Sequence, residues 1–173
     1  MTDFKLIYLR SVAELRAAAP HWDELWYRSD VAAPTARAEL IAQWLEQFAP
    51  RAAFCGLVVQ HGGDFIAALP LVAGGLPRLR VAGLPANAWG LCGDLLLDPN
   101  ADLERALQSL VDGLNHLPCS LLRLSPVAYE SDRWCRLLAA LPYGLIRSHI
   151  TPIDEVGQVA VQASWHEYQS SWS

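Results

Sequence analysis

The sequence predicts an α/β fold: a mixed sheet with a central antiparallel meander and helices on both faces. Three observations predict it. Residues 53–60 and 65–72 are short apolar runs flanking His61-Gly62-Gly63-Asp64, and a Gly-Gly pair accepts the positive φ that a tight hairpin needs. Both runs are almost wholly apolar rather than alternating, the pattern of strands covered on both faces. After the meander, strand-like and helix-like segments alternate, which selects a layered sheet over a bundle or a barrel. Residues 76–84 supply a third strand beyond Gly74-Gly75. Pro70 cannot donate to a ladder and predicts an edge position or a bulge.

The remaining elements follow in order. Phe4 to Leu9 is a first strand with an apolar face. Ser11-Val-Ala-Glu14 is a capping box: the Ser oxygen accepts from the amide three residues on, and the Glu reaches back. Val12, Leu15 and Ala18 continue at helical spacing. Pro20 opens a second helical segment, where its missing N–H is harmless, and Trp22, Leu25 and Trp26 form its face. A polar loop from Ser29 to Pro34 leads to a third helix from about Thr35 to Phe48, with Leu40, Ile41, Trp44, Leu45 and Phe48 on one stripe. Asp94 to Asp98 reads as a strand. Asp102 caps a helix that buries Leu103, Ala106, Leu107, Leu110, Val111 and Leu114. Residues 120–125 read as a strand and Glu130 to Leu141 as a helix with Trp134, Leu137, Leu138 and Leu141 inward. Tyr143 to Ile153 reads as a last strand region, and Ser164-Trp-His-Glu167 as a second capping box.

Composition narrows the function classes. The chain has 173 residues, enough for one domain with a sizeable core. It is 53% hydrophobic and 18% charged, below the roughly 25% charged of ordinary domains. Its seven Trp fit either a well-packed core or an apolar surface docked on a partner. Net charge is −5 and the basic residues are scattered. A nucleic-acid surface needs clustered Lys and Arg, so no nucleic-acid partner is expected. No apolar run approaches the about 20 residues that span a bilayer. Cys55, Cys92, Cys119 and Cys135 lie far apart, without zinc or redox spacing. Neither they nor the five histidines form a metal set, and the expected compartment is the reducing cytoplasm.

Catalytic signatures are sparse. There is no G-x-x-x-x-G-K-[ST], no G-x-G-x-x-G and no G-x-S-x-G. Asp94 and Asp98, four apart on one strand, share a face: they either bracket the strand and cap turns, or do acid/base work. The loop Pro85-Ala-Asn-Ala-Trp-Gly-Leu-Cys-Gly93 carries Asn87 and Trp89. These two either form an ordinary turn with a plugging Trp or recognise a ligand by amide bonding and ring stacking. Arg123 in an apolar strand needs a partner if buried, either an internal carboxylate or an anionic ligand.

The ordered set of motifs resembles the N-terminal half of the CelD/BcsL cellulose-biosynthesis acetyltransferase-like proteins. These belong to the GNAT (Gcn5-related N-acetyltransferase) superfamily and are similar to FemAB-type transferases. The resemblance rests on Trp22-Asp-Glu-Leu25, Trp44-Leu45, Ala67-Ala-Leu-Pro-Leu71, Leu79-Arg-Val-Ala-Gly83, the run Gly93-Asp-Leu-Leu-Leu-Asp-Pro99 and Ser164-Trp-His-Glu-Tyr168. It implies a GNAT-like domain over residues 1–163, the start of a connecting helix over 164–173, and a second GNAT-like domain or a homo-oligomeric partner. It further implies acetyl-CoA or another acyl-CoA as donor, a small-molecule amine or hydroxyl as acceptor, and a link to polysaccharide biosynthesis. The family's phosphate loop, R/Q-x-x-G-x-G/A, belongs after Asp98, where this chain has Pro99-Asn-Ala-Asp102. On this reading Asn87, Trp89 and Arg123 bind substrate and Asp94 is the base, so that exchanging Asp94 for Asn removes transfer and spares the fold. The alternative is a non-catalytic interaction or dimerisation module with a degenerate GNAT fold.

Overall fold

The computed structural model describes residues 4–76, 79–87, 90–142, 149–153 and 169. Its sheet runs β1 (Lys5–Leu9), β2 (Ala53–His61), β3 (Asp64–Leu76), β4 (Leu79–Gly83), β8 (Leu121–Arg123), with β7 (Leu96–Leu97) also paired to β3. All pairings are antiparallel except β4–β8, which is parallel. A separate ribbon joins β5 (Ala86–Asn87) to β6 (Gly90–Leu91). The helices are α1 (Val12–Ala17), α2 (Ala19–Arg28), α3 (Ala38–Phe48), α4 (Leu103–Asn115) and α5 (Asp132–Ala140).

The meander forms as its residues dictate. His61 pairs with Asp64 across Gly62 and Gly63, whose φ values are +64° and +104°, a conformation that side chains with a Cβ resist. Alternate residues of β2 then feed two cores. Val58 faces Leu15, Trp22, Leu25, Ile41 and Leu45 of α1–α3. Leu57 and Val59 face Leu107, Leu110 and Val111 of α4 and Trp134 and Leu137 of α5. Burial on both faces explains why the run lacks polar alternation. Pro70 is neither at an edge nor in a bulge. β3 pairs with β7 at Ala67–Ala68 and with β4 from Val72 onward, and Pro70 lies between, where its missing N–H leaves no ladder bond unmade. The outer side of β3 therefore forks at Pro70.

Caps decide the helix boundaries. Ser11 Oγ accepts from the Glu14 amide at 3.1 Å, while Glu14 reaches back to the Arg10 amide at 2.6 Å. The third helix starts later than its apolar pattern suggests. Pro34–Ala36 is a 3₁₀ turn, and α3 begins at Ala38, whose amide donates to Asp23 Oδ1 of α2 at 2.9 Å. Its inward stripe is narrower than expected: Ala38, Ile41, Ala42 and Leu45 are buried, whereas Leu40 and Phe48 are 37% and 61% exposed. A single sheet face covers only part of the helix circumference. The expected strand 94–98 pairs only at Leu96–Leu97. Of the last expected strand region, residues 143–148 lie outside the described residues, and 149–153 are exposed without strand pairing. Of the 164–173 segment only residue 169 is described.

β4 and β8 approach closely. A Cβ added at Gly83 would lie 2.7 Å from the Arg123 carbonyl oxygen, a backbone atom that cannot swing away. Gly83→Ala is expected to cost about 1–3 kcal/mol, read from the urea midpoint. An unchanged midpoint would contradict this approach.

Candidate functional site

Residues 84–87 and 90–95 lie beside the fork of β3, and the expected site residues Asn87 and Asp94 are among them. Leu84 is buried, and the β5–β6 ribbon follows, with Asn87 half-buried opposite Gly90. Trp89 lies outside the described residues. The chain is then pulled into the core. The Cys92 amide donates to the Pro85 carbonyl at 2.7 Å, and Cys92 Sγ lies 3.3 Å from the Thr35 oxygen and 3.5 Å from that of Leu40. Gly93, at φ +102°, packs against the Pro70 ring. Asp94 follows at once, so its position is inherited from this packing.

Asp94 is held by its own chain. Its Oδ1 accepts from the Leu95 amide at 2.8 Å and from Trp134 Nε1 at 3.0 Å, and its Oδ2 accepts from Arg133 Nη2 at 2.9 Å. The two charged side chains are 11% and 13% exposed. Arg133 also donates to Asp30 Oδ2 at 2.9 Å. Burial works against the Arg133 charge, but Asp94 and Asp30 more than offset it and raise its pKa. This carboxylate therefore ties α5 to the segment that enters β7, with both oxygens aimed at internal donors.

Asp98 does not join Asp94 in an acid/base pair. Its Oδ2 meets Arg28 Nε of α2 at 2.8 Å. Arg28 in turn donates to the Phe65 carbonyl at 2.9 Å and lies 3.2 Å from Glu24. The two carboxylates thus bracket β7, each clamped by a different helix. Arg123 ends β8 opposite Gly83 and is exposed, so the burial that would oblige it to find a partner is not met. Sequence reasoning missed Arg28 and Arg133, the arginines that organise this region. Among the described residues no group of three His, Cys, Asp or Glu has metal-binding geometry, and no helix is long and apolar enough to cross a membrane.

The β7–α4 junction is where the resemblance puts a phosphate loop. Pro99 has no N–H. The Asn100 amide donates to Asp98 Oδ1 at 2.9 Å, and the Ala101 amide to the Asp98 carbonyl at 3.1 Å. At the helix start, Asp102 Oδ1 accepts from the Arg105 amide at 3.2 Å, and Glu104 stands in the first turn. Arg105 is turned onto the Phe4 ring, 4.7 Å from its centroid. These residues do not fit the pyrophosphate of a coenzyme A.

None of Cys55, Cys92, Cys119 and Cys135 is in a disulfide. Burial pushes the Cys92 thiol up from its ordinary 9.0 to about 11. A raised pKa means that the folded state favours the neutral thiol. This contribution is complete below the ordinary thiol range and is lost as pH climbs toward the folded value. Urea stability is expected to fall between about pH 9 and about pH 11, less steeply in Cys92→Ala. Identical slopes would contradict it.

Comparison with known proteins bears on the fold. No family model matches the sequence, and no curated protein sequence matches it. Solved structures do. The aminoglycoside N-acetyltransferase AAC(6')-Iy, solved in complex with CoA, is similar over 90% of this chain and 96% of its own, with TM-score 0.52 and 8% identity. The aminoglycoside acetyltransferase meta-AAC0020, from an uncultured soil metagenomic sample and in complex with sisomicin, is similar over 90% and 97%, with TM-score 0.50 and 9% identity. With its mostly antiparallel sheet and helices on both faces, the chain has the fold of the GNAT acetyltransferases.

Proposed function

We propose that this chain is the acceptor-side domain of a GNAT-type acyltransferase, similar to the N-terminal half of the CelD/BcsL proteins. It would work beside a second GNAT-like domain or a second copy of itself. The reaction is transfer of an acyl group from an acyl-CoA to an amine or hydroxyl, with polysaccharide biosynthesis the setting that the resemblance suggests. One observation carries this reading: a GNAT fold over nearly the whole chain is joined to a β7–α4 junction filled by the chain's own carboxylates. Acceptor binding is then the role left to this domain. Asn87, Trp89 and Arg123 are the proposed acceptor contacts. Asp94 contributes by positioning the fork, because its oxygens already serve Leu95, Trp134 and Arg133.

A second reading, an interaction module with a degenerate GNAT fold, draws support from that same engagement of Asp94 and from exposed Tyr27, Phe48 and Leu121. Saturation-transfer NMR with aminosugars, glucan oligosaccharides and aminoglycosides, without any acyl-CoA, separates the two. The acceptor-side reading expects binding by at least one class, lost in Asn87→Ala or Arg123→Ala at unchanged Tm. No binding, together with concentration-dependent self-association in sedimentation, favours the module.

A further inference from the structure

We infer that the β7–α4 junction excludes polyphosphate, because the chain's own carboxylate occupies the anion position at the N-terminus of α4. A helix N-terminus attracts anions through its free N–H groups and its dipole, and it draws a tethered carboxylate as well as a free phosphate. Here Asp102 is that anion, accepting from the Arg105 amide. A phosphate would have to displace it while approaching Glu104 in the same turn. Asp98 adds a third carboxylate that cannot turn away, since Arg28 grips one of its oxygens and the Asn100 amide the other.

The loop that leads into α4 adds no donor of its own. Pro99 has no N–H, and the Asn100 and Ala101 amides are already given to Asp98. The nearby cations are committed: Arg28 to Asp98, Glu24 and the Phe65 carbonyl, and Arg105 to the Phe4 ring. The carboxylates leave the junction open to a neutral or cationic group. This holds whether or not the domain binds an acceptor.

Amide NMR of the full chain tests it, with inorganic pyrophosphate and CoA as probes and Asp102→Gly/Glu104→Gln as the comparison. Gly is well tolerated at an N-cap, and Tm shows that the variant folds. In the wild type the amides of residues 100–106 should not respond to either probe up to millimolar concentration. In the variant they should respond to pyrophosphate at least tenfold more strongly. Saturable shifts of the wild-type amides at micromolar probe would overturn the inference. So would a variant that behaves like the wild type, since the Asp102 cap and Glu104 would then not be what excludes phosphate.

Discussion

Gly93→Ala is expected to destabilise the protein by about 4 kcal/mol, from backbone strain and overpacking of about 1–3 kcal/mol each. At φ +102° an L side chain is strained whatever the space around it. In addition, the new Cβ would lie 2.7 Å from Cγ of Pro70 and 3.5 Å from Cδ1 of Ile41. The Pro70 ring cannot rotate away, because its backbone is pinned in β3 opposite Gly56. A domain of this size is stable by about 5–15 kcal/mol, so the variant should unfold at much lower urea. A cycle with Pro70→Ala separates the causes: removing the ring should recover the clash and leave the φ strain. A loss below about 1 kcal/mol would mean that Gly93 does not pack into the fork as described.

Asp94→Ala is expected to cost about 3–5 kcal/mol, the range for breaking a buried ion pair from one side. The substitution leaves the Arg133 guanidinium with Asp30 alone, whose side chain is 58% exposed and screened by water. It also strips the acceptor from Trp134 Nε1, which is buried. Asp94→Asn should cost less, because an amide oxygen can still accept from Trp134 and Leu95. It still faces Arg133 without charge, so a smaller loss of stability is expected where the sequence alone suggested none. Adding Arg133→Met to Asp94→Ala should recover part of the loss, since removing both charges ends the uncompensated burial. Urea midpoints of the two singles and the double test this. Strict additivity would show that the pair is not coupled.

Both effects arise where the sequence was least legible. The hairpin, the two-sided meander and the Ser11 and Asp102 caps were readable because each is settled by residues within about four positions of one another. The cap of α3 was not, because its acceptor is Asp23, 15 residues earlier on another helix. The clamps of Asp94 and Asp98 were invisible for the same reason, with arginines 39 and 70 residues away. Asp94 and Asp98 could be read either as brackets of a strand or as an acid/base pair, because spacing reports a shared strand face but not what packs against its ends; the arginine clamps select the first. Pro70 was legible as a break in pairing, yet that break is a fork, since β4 and β7 share one side of β3.

Calorimetric titration of this chain with acetyl-CoA and one longer acyl-CoA tests the central claim most directly, that the domain holds no nucleotide donor of its own. No saturable heat up to millimolar ligand is predicted. A micromolar dissociation constant, about −8 kcal/mol of binding free energy, would contradict it and make this chain a self-sufficient donor-binding domain.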